Sequence, residues 1–259
     1  MLELPYSIAG FAVGAIVGLT GVGGGSLMTP LLVLVFGVPA VTAVGTDLLF
    51  AGITKSGGAV SHAIKGNVDF RVTGLLAAGS IPGTAIAIAA LSLLPPAGPQ
   101  LRTLVSLALG VMLVLTALSL VFRARLTAWA KSRGTAPWNP RHRDLATIAV
   151  GALIGVAVTF SSVGAGAIGV TALLLLFPAL ATVRIVGSDI AHAVPITLIA
   201  GAGHALLGNV NVPLLASLLV GSIPGILLGS HLAARVPERV LRNSLAAVLL
   251  LAGGKLVLN

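Results

Sequence analysis

The sequence contains six acidic residues, and two of them, Asp47 and Asp189, fall inside long apolar segments. A carboxylate at the centre of a membrane helix costs about 2.5–3.5 kcal/mol, so two at matched positions indicate a function. The chemistry that such residues favour is protonation or cation coupling beside a substrate. The alternative is helix capping, because both aspartates follow the predicted starts of their segments closely.

A lysine accompanies the first aspartate. Lys55 follows Asp47 by about two helical turns, on roughly the same helix face, where it could attract an anionic substrate. Two structural alternatives stay open: a lysine that extends to the membrane interface and one that pairs with an aspartate. The equivalent position in the second half of the chain is Thr197, so this charge is present in one half alone.

The histidines divide into two groups. His192 follows Asp189 by three residues, and this spacing predicts a pair on one helix face that contributes to coupling. His62 and His204 lie near segment ends and are expected to bond to nearby backbone carbonyls. The sequence contains no metal-ligand spacing, so we expect neither a metal nor another cofactor.

Glycine-rich stretches interrupt two of the apolar segments. Broken backbone is tolerated in lipid only where it is buried in protein or lines a cavity, and paired breaks in two halves point to a transporter's binding site. A half-helix that starts at such a break presents unpaired N–H groups and a positive dipole end to an anion. The alternative is close helix packing. The predicted substrate-binding residues of the two breaks are Gly23, Gly24, Gly25, Ser26, Thr29, Ser161, Ser162, Gly164 and Gly166.

The composition is that of an integral membrane protein. Of 259 residues, 57% are hydrophobic and 8% are charged, and the mean hydropathy is +1.11. The net charge of +9 comes from loop-like positions without interleaved aromatic residues, which argues against nucleic-acid binding. No nucleotide-binding motif, catalytic triad or close carboxylate pair is present, so we do not expect an enzyme.

An internal duplication organises the chain. Val44-Gly45-Thr46-Asp47 matches Val186-Gly187-Ser188-Asp189, and the offset of 142 stays constant as far as Gly83 and Gly225. Further upstream, we match Gly14 with Gly151 and Gly18 with Gly155. The repeats are expected over residues 1–122 and 145–259, with a basic cytoplasmic linker over 123–144.

Loop charges indicate the orientation of the repeats. If each broken segment crosses the membrane once, nine Lys or Arg lie inside and five outside; if each is a re-entrant hairpin, twelve lie inside and two outside. The second arrangement is favoured, because it places more of the basic residues on the inside. We therefore predict an all-α polytopic membrane protein with two inverted-topology repeats, each made of a re-entrant broken-helix hairpin and three transmembrane helices. Each hairpin arm should have about a dozen residues.

The chain resembles the TauE/SafE family of sulfite and sulfonate exporters. The residues that carry the resemblance are Gly18-Leu19-Thr20-Gly21-Val22-Gly23-Gly24-Gly25, Pro30, Ala43-Val44-Gly45-Thr46-Asp47, Gly66-Asn67-Val68-Asp69 and Gly79-Ser80-Ile81-Pro82-Gly83. The second break, Phe160 to Gly166, departs from the simpler glycine turn of that pattern. The resemblance implies a permease for a small sulfur-containing anion.

The predicted function is secondary transport of sulfite or an organosulfonate across the cell inner membrane by alternating access. The alternatives are a transporter of a small non-sulfur organic anion and an anion channel. The expected partners are the anionic substrate, the lipid bilayer and a coupling proton or cation. The sequence leaves the oligomeric state open, with a homodimer as one alternative.

Overall fold

The architecture is all-helical in the part of the chain that the structure, a computed structural model, describes: residues 3–20, 25–95, 98–132, 139–232 and 238–258. Ten helices follow one another in these ranges, five in each half of the chain. They are α1 (Leu4–Thr20), α2 (Gly25–Leu34), α3 (Ala40–Ile64), α4 (Phe70–Ser92), α5 (Pro99–Ser132), α6 (Pro140–Ser161), α7 (Ala167–Leu176), α8 (Thr182–Leu206), α9 (Val212–Leu232) and α10 (Glu238–Leu258).

Five of the described helices, α4, α5, α6, α8 and α9, are long and apolar enough to cross a membrane. Four of these were predicted as spans, whereas α6 was expected to be a short hairpin arm. The other two predicted spans, α3 with 25 residues and α10 with 21, are not among these five. The protein is therefore a multi-pass membrane protein.

The hairpin arms differ in length, which corrects the expectation of about a dozen residues each. The first arms, α1 and α6, have 17 and 22 residues, whereas the second arms, α2 and α7, have 10 each. At roughly 1.5 Å per residue, the second arms extend only about 15 Å, half of a bilayer core. The helix α5 also continues to Ser132, ten residues past the predicted end of its span.

Each pair of arms is joined at its open end by an aromatic contact. The rings of Tyr6, in the first turn of α1, and Phe36, just after α2, have centroids 5.0 Å apart. In the second half, the Arg143 guanidinium lies 4.8 Å from the centroid of the Phe177 ring, which directly follows α7. The start of each first arm and the end of each second arm are thus close together.

Helices of one half pack against helices of the other. Glycines on α1 lie against the backbone of α9, and glycines on α4 lie against the backbone of α6, each at a position where a Cβ atom would overlap the partner. The residue numbers at these contacts increase together along both helices, so the two helices of each pair run parallel. They are Gly10 with Leu218, Gly14 with Ser222, Gly79 with Ile148, Gly83 with Ala152, Gly151 with Leu76 and Gly155 with Ser80.

The helices α3 and α8 pack in opposite directions at the centre of the bundle. Gly52 lies against Leu198, whereas Gly201 lies against Leu49. Equivalent hydrogen bonds join the halves at either end of this pair. Ser188 accepts a bond from the Asp69 amide at 2.8 Å, and Thr46 accepts one from the Asn211 amide at 3.1 Å.

The glycine contacts also correct one detail of the predicted duplication. Gly14 and Gly155 meet equivalent serines, Ser222 and Ser80, so Gly14 corresponds to Gly155 rather than to Gly151. The error is one helical turn. It arose because glycines recur every four residues on this helix, so that composition alone leaves the register ambiguous.

Candidate substrate and coupling site

Asp47 and Asp189 lie in the helix interior rather than at a cap. Each is the eighth residue of its helix, and the N-cap positions belong to Pro39 and Ala181, which make no side-chain capping bond. Both carboxyl groups are fully buried. The capping alternative for these two residues is therefore wrong, because the helices begin seven residues earlier than either aspartate.

Each aspartate faces the short second arm of its own half. Asp47 accepts a hydrogen bond from the Thr29 hydroxyl of α2 through Oδ2, whereas Oδ1 has no partner among the described residues. Asp189 lies against Gly169, in the first turn of α7, so closely that a Cβ atom there would overlap Oδ1. Thr29 was expected to donate to the substrate; in this conformation its hydroxyl donates to Asp47.

The Asp189 carboxylate is buried at the N-terminal end of α7. Neither of its oxygens has a hydrogen-bond partner among the described residues; the backbone amide of Gly166, at the start of α7, lies near the carboxylate but outside hydrogen-bonding geometry. The positive end of the α7 dipole stabilises a negative charge at this position. A buried carboxylate thus lies at one of the half-helix ends that the sequence assigned to an anionic substrate.

Lys55 lies between the two halves. Its Nζ is 3.5 Å from the carbonyl oxygen of Ala165, within the second break, and its charge acts on both Asp47 and Asp189. The ion pairs within 4.0 Å in the described part of the chain are Arg71–Asp144 and Arg184–Asp69. Lys55 therefore attracts the aspartates without a direct salt bridge.

The second break is built on residues with positive φ. Ser162 ends α6 in the left-handed conformation with φ of 58°, and Gly164 and Gly166 have φ of 129° and 128°. Glycine adopts these last two values without steric cost, which explains its presence here. The Ser161 hydroxyl donates to the Ala157 carbonyl at 2.6 Å and accepts from the Val163 amide at 3.1 Å, so it stabilises the turn.

Ser162 faces the site differently. Its buried hydroxyl lies near the Asp47 carboxylate of the other half, but outside hydrogen-bonding geometry, and has no partner among the described residues. In the first break, Gly25 begins α2 and Ser26 is buried in its first turn. Gly23 and Gly24 lie outside the described residues.

The predicted pair of His192 with Asp189 is wrong. The His192 Nε2 lies 2.8 Å from the Ser80 hydroxyl of α4, a contact that sequence spacing could not indicate because the two residues are 112 positions apart. His204 bonds to a backbone carbonyl, as expected, but to that of Thr159 at 2.9 Å, in another helix. Both rings therefore connect helices of the bundle.

Buried charges beside paired breaks, enclosed by long apolar helices, are typical of polytopic membrane transporters. Comparison with known protein families identifies the family: the family model described as sulfite exporter TauE/SafE matches residues 6–256. The chain belongs to this family.

Curated relatives agree with this assignment. The chain is 40% identical to the probable membrane transporter protein YjnA of Bacillus subtilis over 99% of its own length and 100% of the relative's. It is 29% identical to the probable membrane transporter protein YdhB of the same organism, over 94% and 95% of the two lengths. A probable membrane transporter protein of Xylella fastidiosa is 28% identical, over 88% and 84%. No solved structure is a significant match.

Proposed function

We propose that this protein is a secondary permease that moves a small sulfur-containing anion, such as sulfite or an organosulfonate, across the cell membrane by alternating access. A transporter of a small non-sulfur organic anion and an anion channel are the competing functions. The relatives are named as transporters, and the proposed transport cycle contains no enzymatic step.

The observation that carries the proposal is the position of the Asp189 carboxylate at the start of α7. A substrate anion that binds the α7 N–H groups and dipole must compete with this negative charge. A proton bound by Asp189 would neutralise it and allow the anion to bind. Release of that proton on the other side would expel the anion. Anion binding and proton binding would then favour each other.

Lys55 and Asp47 complete the proposed cycle. The Lys55 ammonium, beside the Ala165 carbonyl, would supply the positive charge that a compact oxyanion needs in a site of low dielectric. Asp47, with its bond to Thr29, would balance Lys55 when the substrate is absent. Ser162, with an unpartnered hydroxyl, would donate to a substrate oxygen. A cation in place of the proton would serve the same coupling scheme.

Alternating access would use the two-fold arrangement of the halves. The opposite directions of α3 and α8, and the aromatic contacts that close each pair of arms, support inverted repeats with re-entrant hairpins. The ion pairs Arg71–Asp144 and Arg184–Asp69 lie at the end of the bundle where most basic residues occur, which we assign to the cytoplasm. Rocking of one half against the other would expose the site to each side in turn.

Counterflow in proteoliposomes tests the function. Labelled sulfite is loaded inside, and unlabelled sulfite, thiosulfate, sulfoacetate, acetate or chloride is supplied outside. Exchange with the sulfur anions but not with acetate or chloride is expected. Exchange with acetate instead would favour the non-sulfur transporter, and flux that no counter-anion accelerates would favour the channel.

The substitution Asp189→Asn separates anion binding from coupling. Because the amide is neutral, we expect this variant to retain anion exchange but to lose accumulation driven by a proton gradient. Asp144→Asn removes a carboxylate from the surface pair with Arg71 and is the matched control. Proton-driven accumulation by Asp189→Asn at the wild-type level would contradict the coupling scheme.

A further inference from the structure

A cavity of about 370 Å³ opens at the end of the bundle that carries most basic residues. It lies between the end of α5, the end of α7, the start of α8 and the start of α10. Its lining residues are Arg123, Ala124, Thr127, Ala128, Leu174, Thr182 and Arg242. This volume is within the range of small-molecule sites.

The chemistry of the lining favours an oxyanion. Arg123 and Arg242 line the cavity; Arg123 already has an interaction partner, so Arg242 is the candidate ligand of the anion. The Arg242 Nε is buried and has no hydrogen-bond partner in the described part of the chain. Guanidinium groups recognise phosphate, sulfonate and carboxylate oxygens through paired N–H donors.

The cavity lies near the central site along α8. Thr182 begins α8 two turns before Asp189, or roughly 10 Å along the helix. The charge of Arg123 acts on the Asp189 carboxylate. An anion held beside Thr182 would therefore lie about two turns of α8 from Asp189.

The cavity opens at one end of the bundle, between the end of α5 and three helices of the second half. At the offset of 142, the polar Thr182 of its lining corresponds to Ala40, a buried apolar residue. Any effect of the cavity on transport should therefore be confined to one face of the membrane.

We propose that this cavity is a cytoplasmic antechamber that binds the anionic substrate before it reaches the central site. This inference rests on the proposed function. The same guanidinium chemistry would recognise a phospholipid headgroup, and the experiments below distinguish a soluble anion from a lipid.

The transport test compares Arg242→Gln with Arg125→Gln. Arg125 lies on the same end of α5 but outside the cavity, with its guanidinium 5.9 Å from the Phe122 ring centroid. For Arg242→Gln, we expect the KM for sulfite supplied at the cytoplasmic face to rise roughly tenfold, as for the loss of one charge-assisted hydrogen bond. The KM at the other face and the maximal rate should not change. An equal rise at both faces, or none, would overturn the inference.

A binding test works without transport. The chain has no cysteine, so a T182C variant places a single thiol in the cavity for maleimide labelling in detergent. Sulfoacetate should slow this labelling, and the added substitution R242Q should remove the protection. Protection without any sulfur-anion counterflow would preserve the site and defeat the proposed function. Counterflow without protection would defeat the antechamber alone.

Binding of a phospholipid headgroup in the cavity predicts different results. If phosphatidylglycerol vesicles protect the thiol and sulfoacetate does not, the cavity binds a headgroup and the antechamber inference is wrong. The same conclusion follows if the effect of Arg242→Gln on KM disappears when anionic lipid is left out of the proteoliposomes.

Discussion

Replacing Gly83 with alanine should weaken the packing of α4 against α6. A Cβ atom at this position would lie 2.5 Å from the Ala152 carbonyl oxygen and 3.2 Å from its carbonyl carbon and Cα. All three atoms belong to the backbone, so no side-chain rotation relieves the overlap. The helices must separate, and overpacking of this kind costs about 1–3 kcal/mol.

The same helix offers a matched control. A Cβ atom at Gly74 would meet nothing within 4 Å, so Gly74→Ala should gain the helix propensity of alanine, about 1 kcal/mol. Gly83→Ala gains the same propensity and loses the packing. The difference in free energy of unfolding between the two variants is therefore the packing cost itself, about 1–3 kcal/mol.

Thermal unfolding in one detergent measures this difference. At about 2–4 °C per kcal/mol for a chain of this size, Gly83→Ala should unfold about 2–12 °C below Gly74→Ala. Gly225→Ala, at the equivalent position against Phe11 of α1, should behave like Gly83→Ala. Equal unfolding temperatures for Gly83→Ala and Gly74→Ala would refute the close approach of α4 and α6.

Three further outcomes concern the central site. Lys55→Gln should raise the KM for sulfite at both membrane faces by at least roughly tenfold, because the main positive charge of the site is lost; an unchanged KM would exclude Lys55 from substrate binding. Asp47→Asn should reduce proton-driven accumulation, because Lys55 would lose the carboxylate that balances it when the substrate leaves, while a thermal-shift assay shows a folded protein; wild-type accumulation would exclude Asp47 from the proposed cycle. Ser80→Ala should destabilise the protein by about 1 kcal/mol through the lost His192 bond without a change in counterflow specificity, and a change in specificity would place His192 at the substrate.

The duplication and the broken helices were readable in the sequence because both are local or repeated patterns. A constant offset from Val44 to Gly83 identified the equivalent helices, and the glycine clusters identified the breaks. The all-helical membrane class followed from composition. The family resemblance is confirmed by the match over residues 6–256.

The contacts across the bundle were not readable. Glycines at four-residue spacing occur on α1, α4, α6 and α9 alike, so sequence does not indicate that α1 packs with α9 rather than with α4. The bonds of Thr29 to Asp47 and of Ser80 to His192 depend on the register between helices. The i, i+3 rule suggested His192 and Asp189 instead, because it considers only neighbours on one helix.

The exchange of helices between the two halves has a consequence for biosynthesis. When the ribosome has made α1 to α5, the glycine faces of α1 and α4 are already in the membrane, but their partners α9 and α6 have not been synthesised. Neither half buries its own close-packing surfaces, so the first half must wait for the second before it can reach its final packing. Until α6 and α9 have been inserted, the glycine faces of α4 and α1 lack the helices against which they pack.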